Sequence, residues 1–425
     1  MLPPARPAGG RCRGRIGGVD PAGGPNARTE RAPGRRAHPL DVVAVVLAVA
    51  GAGCALTGLL PRAEAVATVQ RILPLLLFLA TVVVLAELTA VAGVFDAVAT
   101  RLAIAARGRY AALFGLCVGF ASLTTIVLNL DTTAVLLTPV MLALARRLGL
   151  PAVPLAMTTV WLANTASLLL PVSNLTNLLA ADRIELAPLS YAARMAAPQL
   201  AAVAVTAVLL WFCWWRPSRR GGGGFRTPSR HVPADRWLYR TAVAGCLLFV
   251  AGILAGVPIG LASTVAAGLV LAGFLVRSRG ALRPGLVPWR LLVFVTGLFL
   301  VVQTLGRYGL DDLVGWLLGP AGGALGALRA GGTGALLSNL VNNLPAYVAG
   351  EAVLPVGDEP RLLALLIGTN VGPLATPWAS LATLIWYERC RAAGVTVPTS
   401  RFLVTGALLA VTATLAAVAA LLLTG

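Results

Sequence analysis

Residues 164–177 read Asn-Thr-Ala-Ser-Leu-Leu-Leu-Pro-Val-Ser-Asn-Leu-Thr-Asn, and residues 370–383 read Asn-Val-Gly-Pro-Leu-Ala-Thr-Pro-Trp-Ala-Ser-Leu-Ala-Thr. A shift of 206 positions lays the first stretch on the second. Identical residues then coincide at four places: Asn164 with Asn370, Leu168 with Leu374, Pro171 with Pro377, and Leu175 with Leu381. Two apolar runs are therefore interrupted by polar residues and proline in the same way.

The rest of the sequence is typical of a membrane protein. Of the 425 residues, 58% are hydrophobic and only 12% are charged, and the mean hydropathy is +0.84. Soluble domains contain about 45–50% apolar and about 25% charged residues. Apolar runs recur from residue 42 to residue 424, and a membrane-spanning helix takes roughly 20 residues. The sequence predicts an all-α, polytopic membrane protein of about ten spans.

The charge distribution predicts the orientation. The formal net charge is +18, and every one of the 34 basic residues is arginine. Most of these arginines fall in the tail and the short loops of one predicted side, as cytoplasmic segments do. This explains the charge better than nucleic-acid binding, which is excluded. We expect a multi-pass protein of the plasma (inner) membrane with a cytoplasmic N-terminus.

Composition also divides the chain. Residues 1–39 are rich in Arg, Gly and Pro and are predicted to be a disordered tail. Residues 216–236 are polar and glycine-rich, which is typical of a cytoplasmic linker. Between and after these segments we predict two membrane repeats, at residues 40–215 and 237–425.

Each interrupted run is preceded by another apolar run with a polar centre. Residues 110–145 are interrupted at 129–133, and residues 334–355 contain the polar stretch 338–345. Irregular backbone at membrane depth is tolerated only where protein or a wet cavity surrounds it. We therefore predict two re-entrant hairpins. On the predicted topology the broken spans run in opposite directions, so the fold contains two inverted repeats, each with a hairpin and a broken helix.

The interruptions predict a binding site. Pro171 and Pro377 remove backbone donors and can stop their helices partway through the bilayer. The resulting helix ends carry partial charges, and paired interruptions mark transporter binding sites. The flanking polar residues are spaced i, i+3, so each pair shares one helix face and four oxygens could converge: Asn174 with Asn177, and Ser380 with Thr383. The alternative is that these side chains only bond neighbouring helices.

Asp131 is the charged residue within the first hairpin tip. Carboxylates inside a membrane are costly and usually functional. Burial disfavours their charged form, which allows proton exchange, whereas a bound cation would hold them ionised. We predict proton or cation coupling at Asp131. The alternative is that Asp131 caps a helix beginning at Thr132.

Four stretches together resemble a known family: NLDTTAVLLTP (129–139), LLPVSNLTNLL (169–179), LSNLVNNLPA (337–346) and IGTNVGPLATPWASLATLIW (367–386). They resemble the ArsB arsenite efflux permeases of the ion transporter superfamily, which also holds NhaD sodium/proton antiporters and divalent anion–sodium symporters. The resemblance implies a secondary carrier with two inverted repeats around a central site. It also implies extrusion of arsenite and antimonite in exchange for protons, or as the membrane partner of a separate ATPase.

The resemblance also implies the residues that line the site. The first half-site would comprise Asn129, Asp131, Thr132, Thr133, Ser173, Asn174 and Asn177; the second would comprise Asn342, Asn343, Asn370, Thr376, Ser380 and Thr383. The chain departs from the family where Asn370 and Leu374 stand in place of an expected acid and lysine. Arsenous acid is neutral at physiological pH and needs hydroxyl and amide partners, which this set provides.

The sequence thus predicts a secondary active transporter, with proton-coupled arsenite/antimonite export by alternating access as the leading function. A sodium/proton antiporter or a sodium-coupled di- or tricarboxylate carrier on the same fold are the alternatives. A membrane enzyme is disfavoured, because His38 and His231 lie outside the spans and neither GxSxG nor HExxH occurs.

No cofactor and no metal is expected, and the coupling ion is H⁺, with Na⁺ as the alternative. The expected partners are the lipid bilayer and a small inorganic or organic ion. A second copy of the chain in a homodimer and a separate ATPase subunit are the protein partners left open.

Overall fold

The computed structural model describes residues 39–216, 225, 229, 232–320 and 322–424. The first half of the chain forms helices that we number in chain order: α1 (Pro39–Leu56), α2 (Arg62–Val91), α3 (Val94–Ala105), α4 (Tyr110–Val127), α5 (Leu130–Leu148), α6 (Ala152–Thr165), α7 (Leu175–Arg183) and α8 (Pro188–Leu210). A π-helical turn, Trp211–Trp215, extends α8.

The second half continues with nine helices among the described residues: α9 (Arg236–Leu254), α10 (Ile259–Arg277), α11 (Trp289–Leu305), α12 (Asp311–Leu318), α13 (Gly323–Val341), α14 (Asn343–Val353), α15 (Glu359–Val371), α16 (Leu381–Ala392) and α17 (Thr399–Thr424). Another π-helical turn, Gly306–Leu310, joins α11 to α12.

The prediction of an all-α membrane protein is confirmed. Within the described residues, seven helical segments are long and apolar enough to cross a membrane: Arg62–Val91, Tyr110–Val127, Pro188–Trp215, Arg236–Ile253, Ile259–Arg277, Trp289–Leu310 and Thr399–Thr424. The count of about ten spans, the re-entrant hairpins and the inverted repeats stay predictions. The predicted tail and linker lie largely outside the described residues.

Several helices extend beyond the apolar runs that predicted them. Helix α2 begins at Arg62, ten residues before the run at 72–94, and α5 has 19 residues where the apolar run spans only 134–145. Helix α3 includes the charged residues Asp96 and Arg101. Its Asp96 accepts hydrogen bonds from Arg147 Nε at 2.9 Å and Arg146 Nη2 at 3.2 Å. Hydropathy misses such helix ends because their charged side chains reach outward to partners or water.

The two interruptions fall between short helices. Helix α6 ends at Thr165 and α7 begins at Leu175, while α15 ends at Val371 and α16 begins at Leu381. A shift of 206 positions therefore also lays the end of α6 on the end of α15 and the start of α7 on the start of α16. These four helices have 14, 9, 13 and 12 residues, and each is shorter than the roughly 20 residues that a complete span needs.

Small residues set how closely the helices pack. Helices α13 and α15 cross where a Cβ on Gly368 would clash with the carbonyl oxygen of Gly331. Helices α1 and α11 meet where a Cβ on Gly297 would lie 2.6 Å from Ala48 N. Packing through small residues is the usual way for membrane helices to approach, because lipid supplies no hydrophobic force between them. The crossing of α13 and α15 positions the second interruption.

We expect Gly368→Ala to destabilise the protein by about 1–3 kcal/mol, because the added methyl group must force two backbones apart. Thermal unfolding of the purified protein in detergent measures the loss. The control is Gly332→Ala in the same helix pair, since a Cβ there meets no atom within 4 Å. Equal unfolding temperatures for the two variants would contradict the tight crossing.

Candidate functional site

The two interruptions are joined by one side chain, Asn370 at the end of α15. Its Oδ1 accepts hydrogen bonds from Asn174 Nδ2 at 2.9 Å and Thr176 Oγ1 at 2.6 Å. Its Nδ2 donates to Asn177 Oδ1 at 2.5 Å. All four side chains are buried. The end of α15 is thus bonded directly to the first turn of α7, nearly 200 residues earlier in the chain.

Side chains bond three peptide groups of the loop between α6 and α7. Asn177 Nδ2 donates to the carbonyl oxygens of Ser167 at 2.6 Å and Leu170 at 2.9 Å. Gln199 Oε1, from α8, accepts from the backbone N–H of Leu168 at 2.9 Å. Buried peptide groups without partners are costly in a membrane. Asn177 and Gln199 therefore stabilise the interruption.

Two further contacts complete the first interruption. Ser173 Oγ donates to the carbonyl oxygen of Ile126 at 2.7 Å, which ties the loop to the end of α4. Asn174 Oδ1 accepts from Thr176 N at 3.3 Å and so caps α7. The start of α7 is held against the tip of the first helical pair, where predicted site residues lie.

Asn339 on α13 organises the second interruption. Its Oδ1 accepts from the backbone N–H groups of Ala375 at 2.9 Å and Thr376 at 3.0 Å, and its Nδ2 donates to Gly372 O at 2.8 Å. Its own carbonyl oxygen accepts from Thr376 Oγ1 at 2.8 Å and Trp378 Nε1 at 3.0 Å. One asparagine thus fixes most of the loop between α15 and α16.

Sequence reasoning missed two of these residues. Asn339 and Gln199 were not among the predicted site residues, although each makes contacts on which an interruption depends. The available signal was an uncharged amide within an apolar helix next to an interrupted one. Such an amide has to find a partner in a membrane, but the sequence does not say which partner.

Asparagines set the turns between α4 and α5 and between α13 and α14. Asn129 Oδ1 accepts from Thr132 N at 2.8 Å and caps α5. The backbone of Asn342 has a φ of +95°, a conformation that residues other than glycine rarely adopt. Its Nδ2 donates to Trp378 O at 2.8 Å, and Asn343 N donates to Ala379 O at 2.9 Å. The second turn is therefore bonded to the second interruption.

A cavity of about 50 Å³ lies where the two turns and the start of α7 meet. Four of the predicted site residues line it: Asp131, Asn174, Asn342 and Asn343. The remaining lining is apolar: Leu75, Leu130, Leu175, Val295, Leu298, Phe299, Leu344, Leu381 and Leu384. The structure thus places the amides of both halves and one carboxyl group around a single small space.

Asp131 is the charged residue in this lining, and its Oδ1 is buried without a hydrogen-bond partner in the described structure. It does not cap α5, because Asn129 makes that contact and the helix begins at Leu130. Asp131 lies in the first turn of α5, where the helix dipole favours negative charge. The carboxyl group is consequently free to interact with whatever enters the cavity.

Other predicted residues lie behind the cavity lining. Thr132 and Thr133 are buried, and Thr133 accepts a hydrogen bond from Thr125 Oγ1 at 3.2 Å. Ser380 caps α16 by accepting from Thr383 N at 3.1 Å, and the two hydroxyl groups lie 2.9 Å apart. The four side chains whose oxygens were expected to converge therefore form two separate groups. Asn174 and Asn177 bond Asn370, whereas Ser380 and Thr383 bond each other.

We expect Asn370→Ala to lower stability by about 2 kcal/mol, because three hydrogen bonds are lost and such bonds average about 0.6 kcal/mol in membrane proteins, with larger values when partners stay buried. Thermal unfolding in detergent measures this loss. The control is Thr412→Val, whose hydroxyl bonds Leu408 O within its own helix. A variant as stable as this control would show that Asn370 does not join the interruptions.

Comparison with known proteins identifies a family and named relatives for this chain. Residues 30–368 match the family described as citrate transporter (CitMHS). The arsenical pump membrane protein of Escherichia coli K12 is 30% identical over 363 residues, covering 80% of this chain and 84% of that protein. The protein of the same name from Yersinia enterocolitica is 29% identical over 364 residues, with the same coverage.

A solved structure is also similar. The YdaH transporter of Alcanivorax borkumensis has 14% sequence identity and a TM-score of 0.45, over 90% of this chain and 96% of that one. The family and the relatives carry transporter names, which agrees with the prediction that the chain is not an enzyme. The chain belongs to the citrate transporter family and is a multi-pass membrane transporter of the arsenical pump type.

Proposed function

We propose that this chain exports arsenite and antimonite in exchange for protons, by alternating access around the cavity that Asp131 lines. The observation that carries the proposal is the chemistry of this cavity, which combines one unpartnered carboxyl oxygen with the amides of Asn174, Asn342 and Asn343. The named relatives, which are arsenical pump membrane proteins, support the same cargo.

The charge of the cavity favours a neutral solute. Arsenous acid is uncharged at physiological pH, and its hydroxyl groups can donate to and accept from amides. Among the described residues lining the cavity, none is an arginine that could compensate a polycarboxylate. A citrate-type anion would instead bury several negative charges in this cavity without a positively charged partner, and burying unpaired charges is strongly unfavourable. This argues against the di- or tricarboxylate alternative.

The size of the cavity also favours a small solute. A cavity needs about 10–15 Å³ of accessible space for one water molecule. The 50 Å³ cavity therefore has room for about four water molecules. A compact triol such as arsenous acid occupies a similar space, whereas citrate has several times more atoms.

Asp131 supplies the coupling in this proposal. A carboxyl group shielded from water favours its neutral form. When Asp131 releases its proton, it carries a negative charge that a neutral cargo does not compensate. The proton and the cargo can therefore alternate in the same cavity. The exporter would work in the inner membrane with a cytoplasmic N-terminus, and H⁺ would be the coupling ion.

A sodium/proton antiporter is the second candidate. The observation that favours it is the same unpartnered Oδ1 of Asp131, since carboxylate and amide oxygens are ligands that hard cations prefer. Sodium and arsenous acid would therefore compete for one cavity. Transport measurements with each solute distinguish the two functions.

We expect cells that lack their own exporter to accumulate several-fold less arsenite when they express this chain. The effect should disappear in Asp131→Asn, which cannot exchange a proton, and on collapse of the proton gradient. Radioactive or mass-spectrometric arsenic counts measure the accumulation.

The control is Asp312→Asn, which changes an exposed carboxyl group on α12 and should leave export intact. Unchanged accumulation with well-expressed wild-type protein would refute arsenite export. Sodium-dependent proton movement in vesicles containing the same protein would then favour the antiporter.

A further inference from the structure

The cavity has an apolar side that the polar site residues do not account for. Leu75 of α2 and three residues of α11, Val295, Leu298 and Phe299, line it together with the amides of the two turns. The α11 residues are spaced i, i+3 and i+4, so they share one face of that helix. We call these four residues the apolar wall.

The residues of the apolar wall on α11 belong to a helix that packs closely against α1. Gly297 faces α1, and a Cβ there would lie 2.6 Å from Ala48 N. In the reverse direction, a Cβ on Gly51 of α1 would lie 2.9 Å from Gly297 O. Two backbones in such contact leave α11 no space to move away from the cavity.

The wall on α2 is supported in the same manner by a different helix. A Cβ on Gly260 of α10 would lie 3.1 Å from the carbonyl oxygen of Pro74, the residue next to Leu75. Helix α10 therefore packs against α2, and helix α1 packs against α11. Close-packed interiors resist deformation, so the wall keeps the cavity small.

We propose that the apolar wall is a size filter and that Phe299 is its specificity-determining residue, restricting the cargo to trivalent arsenic and antimony species without a large organic substituent. This inference rests on the proposed function. Phe299 carries the largest side chain of the wall.

The polar residues cannot supply this discrimination. Amides and a carboxyl group bond hydroxyl groups equally well whether the third substituent on arsenic is a hydroxyl, a methyl or a phenyl group. Rejection of a larger substituent has to come from closely packed side chains that cannot move aside. A single methylene group in a well-formed pocket changes specificity by roughly 10- to 200-fold, so a phenyl ring exceeds what this wall admits.

The test compares arsenite with phenylarsonous acid, which keeps two hydroxyl groups on trivalent arsenic and replaces the third with a phenyl ring. Both are loaded into exporter-deficient cells expressing the wild-type chain, Phe299→Leu or Phe299→Ala. We expect the wild type to export arsenite alone. Export of phenylarsonous acid should rise about tenfold or more in Phe299→Ala and by less in Phe299→Leu.

Val293→Ala is the matched control, because Val293 lies on the exposed side of the same helix and should change neither activity. Leu75→Ala provides a second enlargement from another helix if Phe299→Ala does not accumulate in the membrane. Arsenite export by all variants with unchanged rejection of the phenyl compound would overturn the filter and leave the proposed function standing. Absence of arsenite export by the wild type would overturn the proposed function, and the filter with it.

Discussion

The amide of Asn370 is the contact on which this structure depends. A chain that stops a helix inside a membrane exposes peptide groups to an environment without water, and each unpaired group costs several kcal/mol. Asn370 joins α15 to the start of α7 through three hydrogen bonds, while Asn339 and Gln199 satisfy the loops on either side. The requirement to satisfy two interruptions is what collects amides at the centre of the molecule.

Local features of the sequence predicted the interruptions well. Proline and clustered polar residues within apolar runs lie inside the interruptions, but the helices end at Thr165 and Val371, six residues before Pro171 and Pro377, so the prolines do not end them. The 206-position shift extends to these boundaries. Long-range pairing was beyond such reasoning. Nothing local indicates that Asn370 bonds the first turn of α7, or that Asn339, within the polar stretch 338–345, holds a loop more than thirty residues away. These long-range hydrogen bonds follow from how the helices pack, which the local sequence pattern does not show.

The turn between α4 and α5 shows how two polar residues, Asn129 and Asp131, have different roles. A helix beginning inside the protein needs an acceptor for its first N–H groups, and Asn129 provides it through Thr132 N. Had Asp131 been the cap, its carboxyl group would have been committed to the backbone. Because the asparagine takes that role, the carboxyl oxygen keeps no partner and lines the cavity. In the sequence Asn-Leu-Asp, the asparagine therefore caps the helix and the aspartate lines the cavity.

The repeated sequence is a repeat of positions and not of contacts. Asn370 makes three hydrogen bonds across the molecule, whereas Asn164, its equivalent by the 206-position shift, donates only to Val160 O of its own helix and leaves a buried Oδ1 without a partner in the described structure. Such an oxygen costs about 1–3 kcal/mol. Ser380 and Thr383, the equivalents of two partners of Asn370, bond each other instead. The two interruptions therefore hold similar residues in unequal arrangements, so the sequence repeat alone does not determine which hydrogen bonds form.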